Sequence, residues 1–86
     1  MLNKKQVVRY LETIATYMEL KGENAFKTSA FRKAALALEN DDRSIEQIDD
    51  FTKLAGIGKG TASVIQELLT EGKSTVLEEL QQQVPE

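Results

Sequence analysis

The residues best suited to bind a ligand lie in one glycine-rich segment of the chain. Gly56 and Gly58 flank a single apolar residue, Ile57, and an apolar pattern of helical spacing follows from Gly60 onward. Such a pattern indicates a tight turn whose backbone can adopt a positive φ and approach a partner closely. The free amides at the start of the next helix and the positive end of its dipole attract a phosphate. We therefore predict that residues 56–61 bind an anion, most simply a nucleic-acid backbone.

Other glycine-rich motifs do not fit this segment. The dinucleotide-binding pattern Gly-x-Gly-x-x-Gly fails because Thr61 stands at the last position and no apolar strand precedes it. A Walker loop fails as well, because no Gly-Lys-Ser or Gly-Lys-Thr occurs at the required spacing. An ordinary interpretation also stays open, in which Gly56 only ends the preceding helix and the other glycines fill a loop. A helix, a hairpin and a second helix over about residues 49–71 account for both interpretations.

Length and composition limit the functions that the chain can have. It has 86 residues with no cysteine and no histidine, which excludes disulfides, thiolate zinc sites and catalysis by a Ser-His-Asp triad. A chain of this length forms one domain, residues 1–86, with a core of its own. No apolar run approaches the length of a membrane span. We expect a cytoplasmic monomer without a membrane partner.

Charge is distributed unevenly along the chain, whose net charge is −3. Residues 24–38 and residues 51–65 contain no carboxylate, whereas acidic residues gather between and after these two windows. This separation predicts a dipolar surface with one basic face. The charged residues of the two windows are Lys27, Arg32, Lys33, Lys53 and Lys59.

Apolar spacing and capping residues predict an all-α fold, a small bundle of about five helices of which two are short. The first helix is capped by Asn3 and ends at Gly22, the second is capped by Thr28 or Ser29 and runs to about Glu39, and a short one follows Ser44. The arms of the hairpin motif cover residues 49–55 and 59–71, and a last helix starts at Ser74 and ends before Pro85. Predicted core residues are Val7, Leu11, Ile14, Met18, Phe31, Ala34, Ala35, Leu38, Ala62, Ile65, Leu68, Leu69, Val76 or Leu77, Leu80 and Val84.

One motif covers residues 24–35, and a second one consists of residues 54–58, Ala62, Ile65 and residues 68–72. Together these two motifs resemble the amino-terminal domain of family X DNA polymerases of the bacterial type. The similarity covers nearly the whole chain. It implies a helical domain that binds DNA without sequence specificity, especially at gaps with a 5′-phosphate. It also implies that the chain is a piece of a longer DNA repair polymerase. Nucleotidyl transfer, which requires a divalent metal, and a possible 3′-5′ exonuclease would then lie in later domains.

The charge pattern and the resemblance together give the candidate site. The resemblance implies that Lys27 faces the 5′-phosphate and that Phe31, a tyrosine in polymerase beta relatives, can stack or pack without donating a hydrogen bond. It further implies that the carbonyl groups of Thr52, Leu54 and Ile57 hold Na⁺ or K⁺ that bridges to a phosphate, with no other cofactor in this domain. The candidate DNA-binding residues are Gly56, Ile57, Gly58, Lys59, Gly60, Thr61, Lys27, Phe31, Arg32, Lys33 and Lys53.

Two alternatives to simple DNA binding stay open. Polymerase beta relatives use a lysine in the second arm to excise an abasic sugar phosphate through a Schiff base, but the matching residue is Val64, which has no amine. Lys59 could replace that lysine if it were desolvated and reached the sugar. The domain could also use the hairpin to bind a protein, which the acidic net charge favours.

Overall fold

A computed structural model describes residues 2–83, and this part of the chain contains helices and turns with no strand. The all-α fold is therefore confirmed, and the two short helices are single 3₁₀ turns. Val84 and Pro85, predicted as a core residue and a helix stop, lie outside the described residues. No helix within residues 2–83 could cross a membrane. The elements are α1 (Lys4–Lys21), α2 (Ala25–Asn40), a first 3₁₀ turn (Ile45–Gln47), a second 3₁₀ turn (Phe51–Lys53), α3 (Lys59–Glu71) and α4 (Thr75–Gln83).

Helix α1 begins and ends where its sequence predicts. The Asn3 side chain accepts a hydrogen bond from the Gln6 amide at 2.9 Å, and the Gln6 side chain accepts one from the Asn3 amide at 2.9 Å. This reciprocal pair satisfies two amides that the helix cannot pair internally. At the other end Gly22 has a φ of +84°, the left-handed conformation that commonly ends a helix.

Helix α2 begins earlier than predicted. Asn24, and not Thr28 or Ser29, caps it, because the Asn24 side chain accepts a hydrogen bond from the Phe26 amide at 2.7 Å. The amide of Thr28 donates to the Asn24 carbonyl at 3.2 Å, and Thr28 is buried inside the helix. The predicted loop is therefore reduced to residues 22–24. Phe26 and Lys27 therefore belong to the first turn of α2 and not to a loop.

Helices α1 and α2 pack side by side in antiparallel directions. Lys4 at the start of α1 donates to the Asp41 carbonyl just beyond α2, and Glu19 near the end of α1 pairs with Arg32 in α2. The alanines of α2 allow this close approach. Of the predicted core, Leu69 and Val76 are only partly buried. The buried apolar residues are Val7, Val8, Leu11, Ile14, Ala15, Met18, Phe31, Ala34, Ala35, Leu38, Ile45, Ile48, Phe51, Ile57, Ala62, Val64, Ile65, Leu68, Leu77 and Leu80.

The first arm of the hairpin motif is shorter than the predicted segment 49–55. It is the second 3₁₀ turn, in which the Leu54 amide donates to the Phe51 carbonyl at 3.1 Å. Asp50 caps this turn by accepting the Thr52 amide at 3.0 Å. Because Phe51 is buried, the turn fixes the chain to the core immediately before the glycine-rich hairpin.

Candidate nucleic-acid interface

The hairpin between the second 3₁₀ turn and α3 is a β-turn in which the Ile57 amide donates to the Leu54 carbonyl at 3.1 Å. Gly56, the third residue of this turn, has a φ of +95°, a conformation that L side chains rarely adopt. A Cβ at Gly56 would lie 3.3 Å from the Lys33 carbonyl oxygen and 3.7 Å from the Ala37 Cβ. Both the positive φ of the turn and the close approach of the hairpin to α2 therefore favour glycine at this position.

Three amides at the start of α3 have no acceptor among residues 2–83. Gly58 precedes the helix in an extended conformation with φ −92° and ψ −179°, and it has no side chain to cap the first turn. Its own amide donates to Thr61 Oγ1 at 3.1 Å, while the Ala62 amide donates to the Gly58 carbonyl at 2.9 Å. The free donors of the predicted segment 56–61 are thus the amide of Gly56 and the amides of residues 59–61.

Space around these amides is open. A Cβ added at Gly58 or at Gly60 would meet no atom within 4 Å. The conformation of Gly58 is one that any residue can adopt, so the expectation that its turn depends on glycine is wrong, and only Gly56 has that role in the hairpin. Glycine at positions 58 and 60 leaves the backbone at the start of α3 accessible.

A groove of about 500 Å³ connects the start of α3 with the start of α2. It brings together Lys27 and Phe31 of α2 with Gly58, Gly60 and Thr61. Five of the eleven candidate residues therefore lie on one concave surface. The remaining residues that line the groove are Met18, Lys21, Glu23, Ala30, Val64, Val76, Glu79, Leu80 and Gln83.

The basic residues do not form one uniform face. Lys27, whose side chain is 66% exposed, lies 3.7 Å from Glu23, and Arg32 pairs with Glu19 at 2.5 Å. Both carboxylates come from residues that precede the acid-free window, so the fold places acids where a sequence window shows none. Arg32, like Lys33, Lys53 and Lys59, does not line the groove.

Lys33, Lys53 and Lys59 are exposed and free of ion pairs within the described part of the chain. The carbonyl group of Lys33 contacts Gly56, Lys53 ends the second 3₁₀ turn, and Lys59 begins α3. These three lysines thus surround the hairpin by their backbone positions. They supply positive charge outside the groove, where a continuous strand could pass.

Aromatic residues have two distinct environments in α2. Phe31 is 8% exposed and packs in the wall of the groove, while Phe26 is 85% exposed beside Lys27. Sequence reasoning did not select Phe26 or the groove residue Lys21. Phe26 lies outside the apolar stripe of α2, and this position in the sequence pattern indicates an exposed ring. Nothing in the sequence around Lys21 indicates that it lies near α3.

The three carbonyl groups proposed for a monovalent cation lie in the second 3₁₀ turn and the hairpin. The Leu54 carbonyl accepts the Ile57 amide at 3.1 Å and keeps a second lone pair. Neutral carbonyl oxygens are suitable ligands for K⁺ or Na⁺, so the donor chemistry of Thr52, Leu54 and Ile57 fits such an ion. Among residues 2–83, no group of three acidic, histidine or cysteine side chains could hold a metal ion. The cation remains a prediction.

The groove offers no amine at the position of a Schiff-base lysine. Val64, which matches that position, lines the groove and is 6% exposed. Lys59 is exposed and lies outside the groove lining. A Schiff-base lysine must reach the sugar carbon that it attacks, and Lys59 does not line the groove proposed for the strand end. The geometry therefore favours binding over lyase chemistry.

Comparison with known proteins agrees with this geometry. The family model described as a helix-hairpin-helix domain matches residues 2–74. The chain is also 65% identical over 85 residues to the DNA polymerase/3′-5′ exonuclease PolX of Bacillus subtilis (strain 168). That alignment covers 99% of this chain and 15% of the relative. The chain thus spans a small part of the length of the curated relative that it matches.

Proposed function

The chain belongs to the helix-hairpin-helix domain family, and on this premise we propose that it is a sequence-nonspecific DNA-binding domain of a family X DNA polymerase. It contacts the DNA backbone at the hairpin and receives the 5′-phosphate of a gap in the groove. The Bacillus subtilis relative, a DNA polymerase/3′-5′ exonuclease, supports this assignment. In the longer protein, nucleotidyl transfer with its divalent metal and the exonuclease belong to other domains.

The proposal rests on one observation: backbone amides without an acceptor and a lysine side chain line the same groove. Gly60 and Thr61, whose amides have no acceptor in the described structure, line the same groove as Lys27. Amides at a helix start and a nearby ammonium group are donors that bind phosphate. None of these contacts reads a base edge, so binding is insensitive to sequence.

A strand end fits the groove better than a continuous strand does. The groove is a concave space between helices, with Lys21 and Lys27 beside apolar walls that include Phe31 and Val64. A terminal phosphate carries more negative charge at neutral pH than an internal phosphodiester, so it gains more from the two lysines. The exposed ring of Phe26 next to Lys27 is available to stack on a neighbouring unpaired base.

Outside the groove, Lys33, Lys53 and Lys59 contact the flanking strand as point charges. Na⁺ or K⁺ held by the carbonyl groups of residues 52, 54 and 57 bridges the hairpin to a further phosphate. This cation is tested by replacing KCl with tetramethylammonium chloride at equal ionic strength. Weaker binding in tetramethylammonium supports the ion, and unchanged binding removes it.

The test of the main proposal is a titration of the 86-residue chain onto labelled duplexes at increasing KCl concentration. The three duplexes are a gapped one with a 5′-phosphate, the same one with a 5′-hydroxyl, and an intact one. We expect the tightest binding for the phosphorylated gap and a linear fall of log K with log salt concentration. Lys27→Ala should reduce the preference for the phosphate, whereas the matched charge removal Lys5→Ala, outside the groove, should not.

Two results would refute the proposal. One is equal affinity for all three duplexes, which would mean that the groove does not recognise a strand end. The other is an affinity that does not change with salt. Amide NMR signals provide a direct readout, since DNA should shift those of residues 59–61. If only a protein partner shifts them, the hairpin serves protein interaction instead.

A further inference from the structure

An acidic side chain occupies the space between the two lysines of the groove. Glu23 places one carboxylate oxygen 3.0 Å from Lys21 Nζ and the other 3.7 Å from Lys27 Nζ. All three residues line the groove that contains the start of α3. The two oxygens of the carboxylate therefore bind the two ammonium groups as two oxygens of a phosphate would.

The backbone of Glu23 is fixed by the caps of both neighbouring helices. Its amide donates to the Met18 carbonyl at 2.9 Å, and the adjacent Gly22 amide donates to the Glu19 carbonyl at 3.1 Å. The next residue, Asn24, caps α2. The ion pairs can therefore separate by rotation of side chains alone, while the backbone of Glu23 stays at the groove.

We infer that Glu23 is a built-in competitor that occupies the phosphate-binding lysines of the free protein and must be displaced when a 5′-phosphate enters the groove. This inference rests on the proposed function and concerns the control of affinity at the same site. The ion pairs with Lys21 and Lys27 also lower the pKa of Glu23, so the side chain is a carboxylate at neutral pH. A negative charge there opposes an incoming phosphate until it moves away.

The competitor affects different DNA ends unequally. A terminal phosphate in the groove must separate Glu23 from both lysines, whereas an intact duplex bound along the exposed lysines of the hairpin leaves these pairs in place. Removal of the Glu23 charge should therefore strengthen binding of phosphorylated gaps more than binding of intact duplex. A general change in net charge would strengthen both equally.

The test compares Glu23→Gln with Glu12→Gln, a matched loss of one negative charge on α1 away from this groove. We expect Glu23→Gln to bind the 5′-phosphorylated gap about threefold more tightly, the factor that an exposed ion pair of ordinary strength is worth. The slope of log K against log salt should stay close to that of the parent, because the same lysines contact the same phosphate once Glu23 is displaced. Both variants should keep the circular dichroism spectrum of the parent chain.

A double-mutant comparison identifies the lysines as the cause. In a Lys21→Ala, Lys27→Ala background, Glu23→Gln should give no gain beyond that of Glu12→Gln, because no ammonium group is left to release. The inference is refuted if Glu23→Gln binds no better than the parent, gains no more than Glu12→Gln, or keeps its gain without the lysines. If the parent chain itself does not prefer the phosphorylated gap, the proposed function fails instead.

Discussion

Replacement of Gly56 by alanine separates the structural role of the hairpin from its role in binding. Gly56 has a φ of +95°, and its Cα faces α2 at the Lys33 carbonyl. With a methyl group at this position, the residue must keep an unfavourable positive φ, and its Cβ lies only 3.3 Å from the Lys33 carbonyl oxygen. Gly60, four residues later, lies in the first turn of α3 with no atom within 4 Å of an added Cβ. The two glycines therefore give opposite expectations for the same substitution.

The expected cost of Gly56→Ala follows from three terms. The left-handed conformation costs an L residue ~1–2 kcal/mol. The Cβ would lie 3.3 Å from the Lys33 carbonyl oxygen, so the hairpin or α2 must shift by a few tenths of an ångström. Alanine also restricts the unfolded chain, which offsets ~0.4–1 kcal/mol. The net loss in the free energy of unfolding should be about 1–2 kcal/mol, or ~5–15 °C in melting temperature for a domain of this size.

Urea unfolding followed by circular dichroism measures this loss, and DNA titration is run on the same samples. Gly60→Ala is the matched control, because the same methyl group enters a helical position with open space around it, where alanine is a better helix former than glycine. We expect Gly60→Ala to be at least as stable as the parent but to bind DNA more weakly, because its methyl group narrows the approach to the free amides of α3.

Two outcomes would show that the reasoning is wrong. If Gly56→Ala unfolds at the same urea concentration as the parent, the positive φ and the contact with α2 do not constrain the hairpin. If Gly60→Ala is stable and binds DNA with unchanged affinity, the amides of residues 59–61 are not the contact surface.

Three further predictions concern single side chains. Thr61→Val should lower the free energy of unfolding by ~1 kcal/mol, because the Gly58 amide loses its acceptor; Thr61→Ser should restore most of it in urea, and equal loss in both variants would contradict this account. Hydrogen bonds from Arg43 lower the pKa of Asp41 from 3.8 to about 2, so the stability that this carboxylate adds is complete above pH 3.8 and lost as pH falls through 2. Asp41→Asn should therefore show a shallower fall of melting temperature over that range, and an unchanged fall would exclude Asp41 as its cause. Lys33→Ala should weaken DNA binding by ~1 kcal/mol and reduce the salt slope by about one, and an unchanged slope would exclude a phosphate contact.

Local chemistry made much of the fold predictable. Asn3 and Gly22 mark the ends of α1 through bonds and conformations that involve only their own neighbours, and both predictions are confirmed. The resemblance to the amino-terminal domain of family X polymerases is confirmed too, because 65% of the 85 residues aligned with the Bacillus subtilis relative are identical and the alignment covers 99% of this chain. Two motifs in the right order carried that recognition, which is more specific than the hairpin alone.

Contacts between distant residues explain what the sequence did not reveal. Arg32 follows Glu19 by 13 residues, yet the antiparallel packing of α1 and α2 makes them a pair. The groove likewise places Lys21 near the start of α3. The early start of α2 is a different case, because Asn24, Thr28 and Ser29 are all residue types that cap helices, and Asn24 caps α2 while Thr28 is buried in the core.

The connection between α1 and α2 contains only the residues that cap these two helices. The backbone amides of Gly22 and Glu23 cap the end of α1, and the side chain of Asn24 caps the start of α2. An inserted or deleted residue would break a cap and rotate one helix against the other. During divergence the joint must keep its three residues, with a left-handed residue at position 22 and a capping side chain at position 24, so it acts as a fixed-length spacer between Lys21 and Lys27.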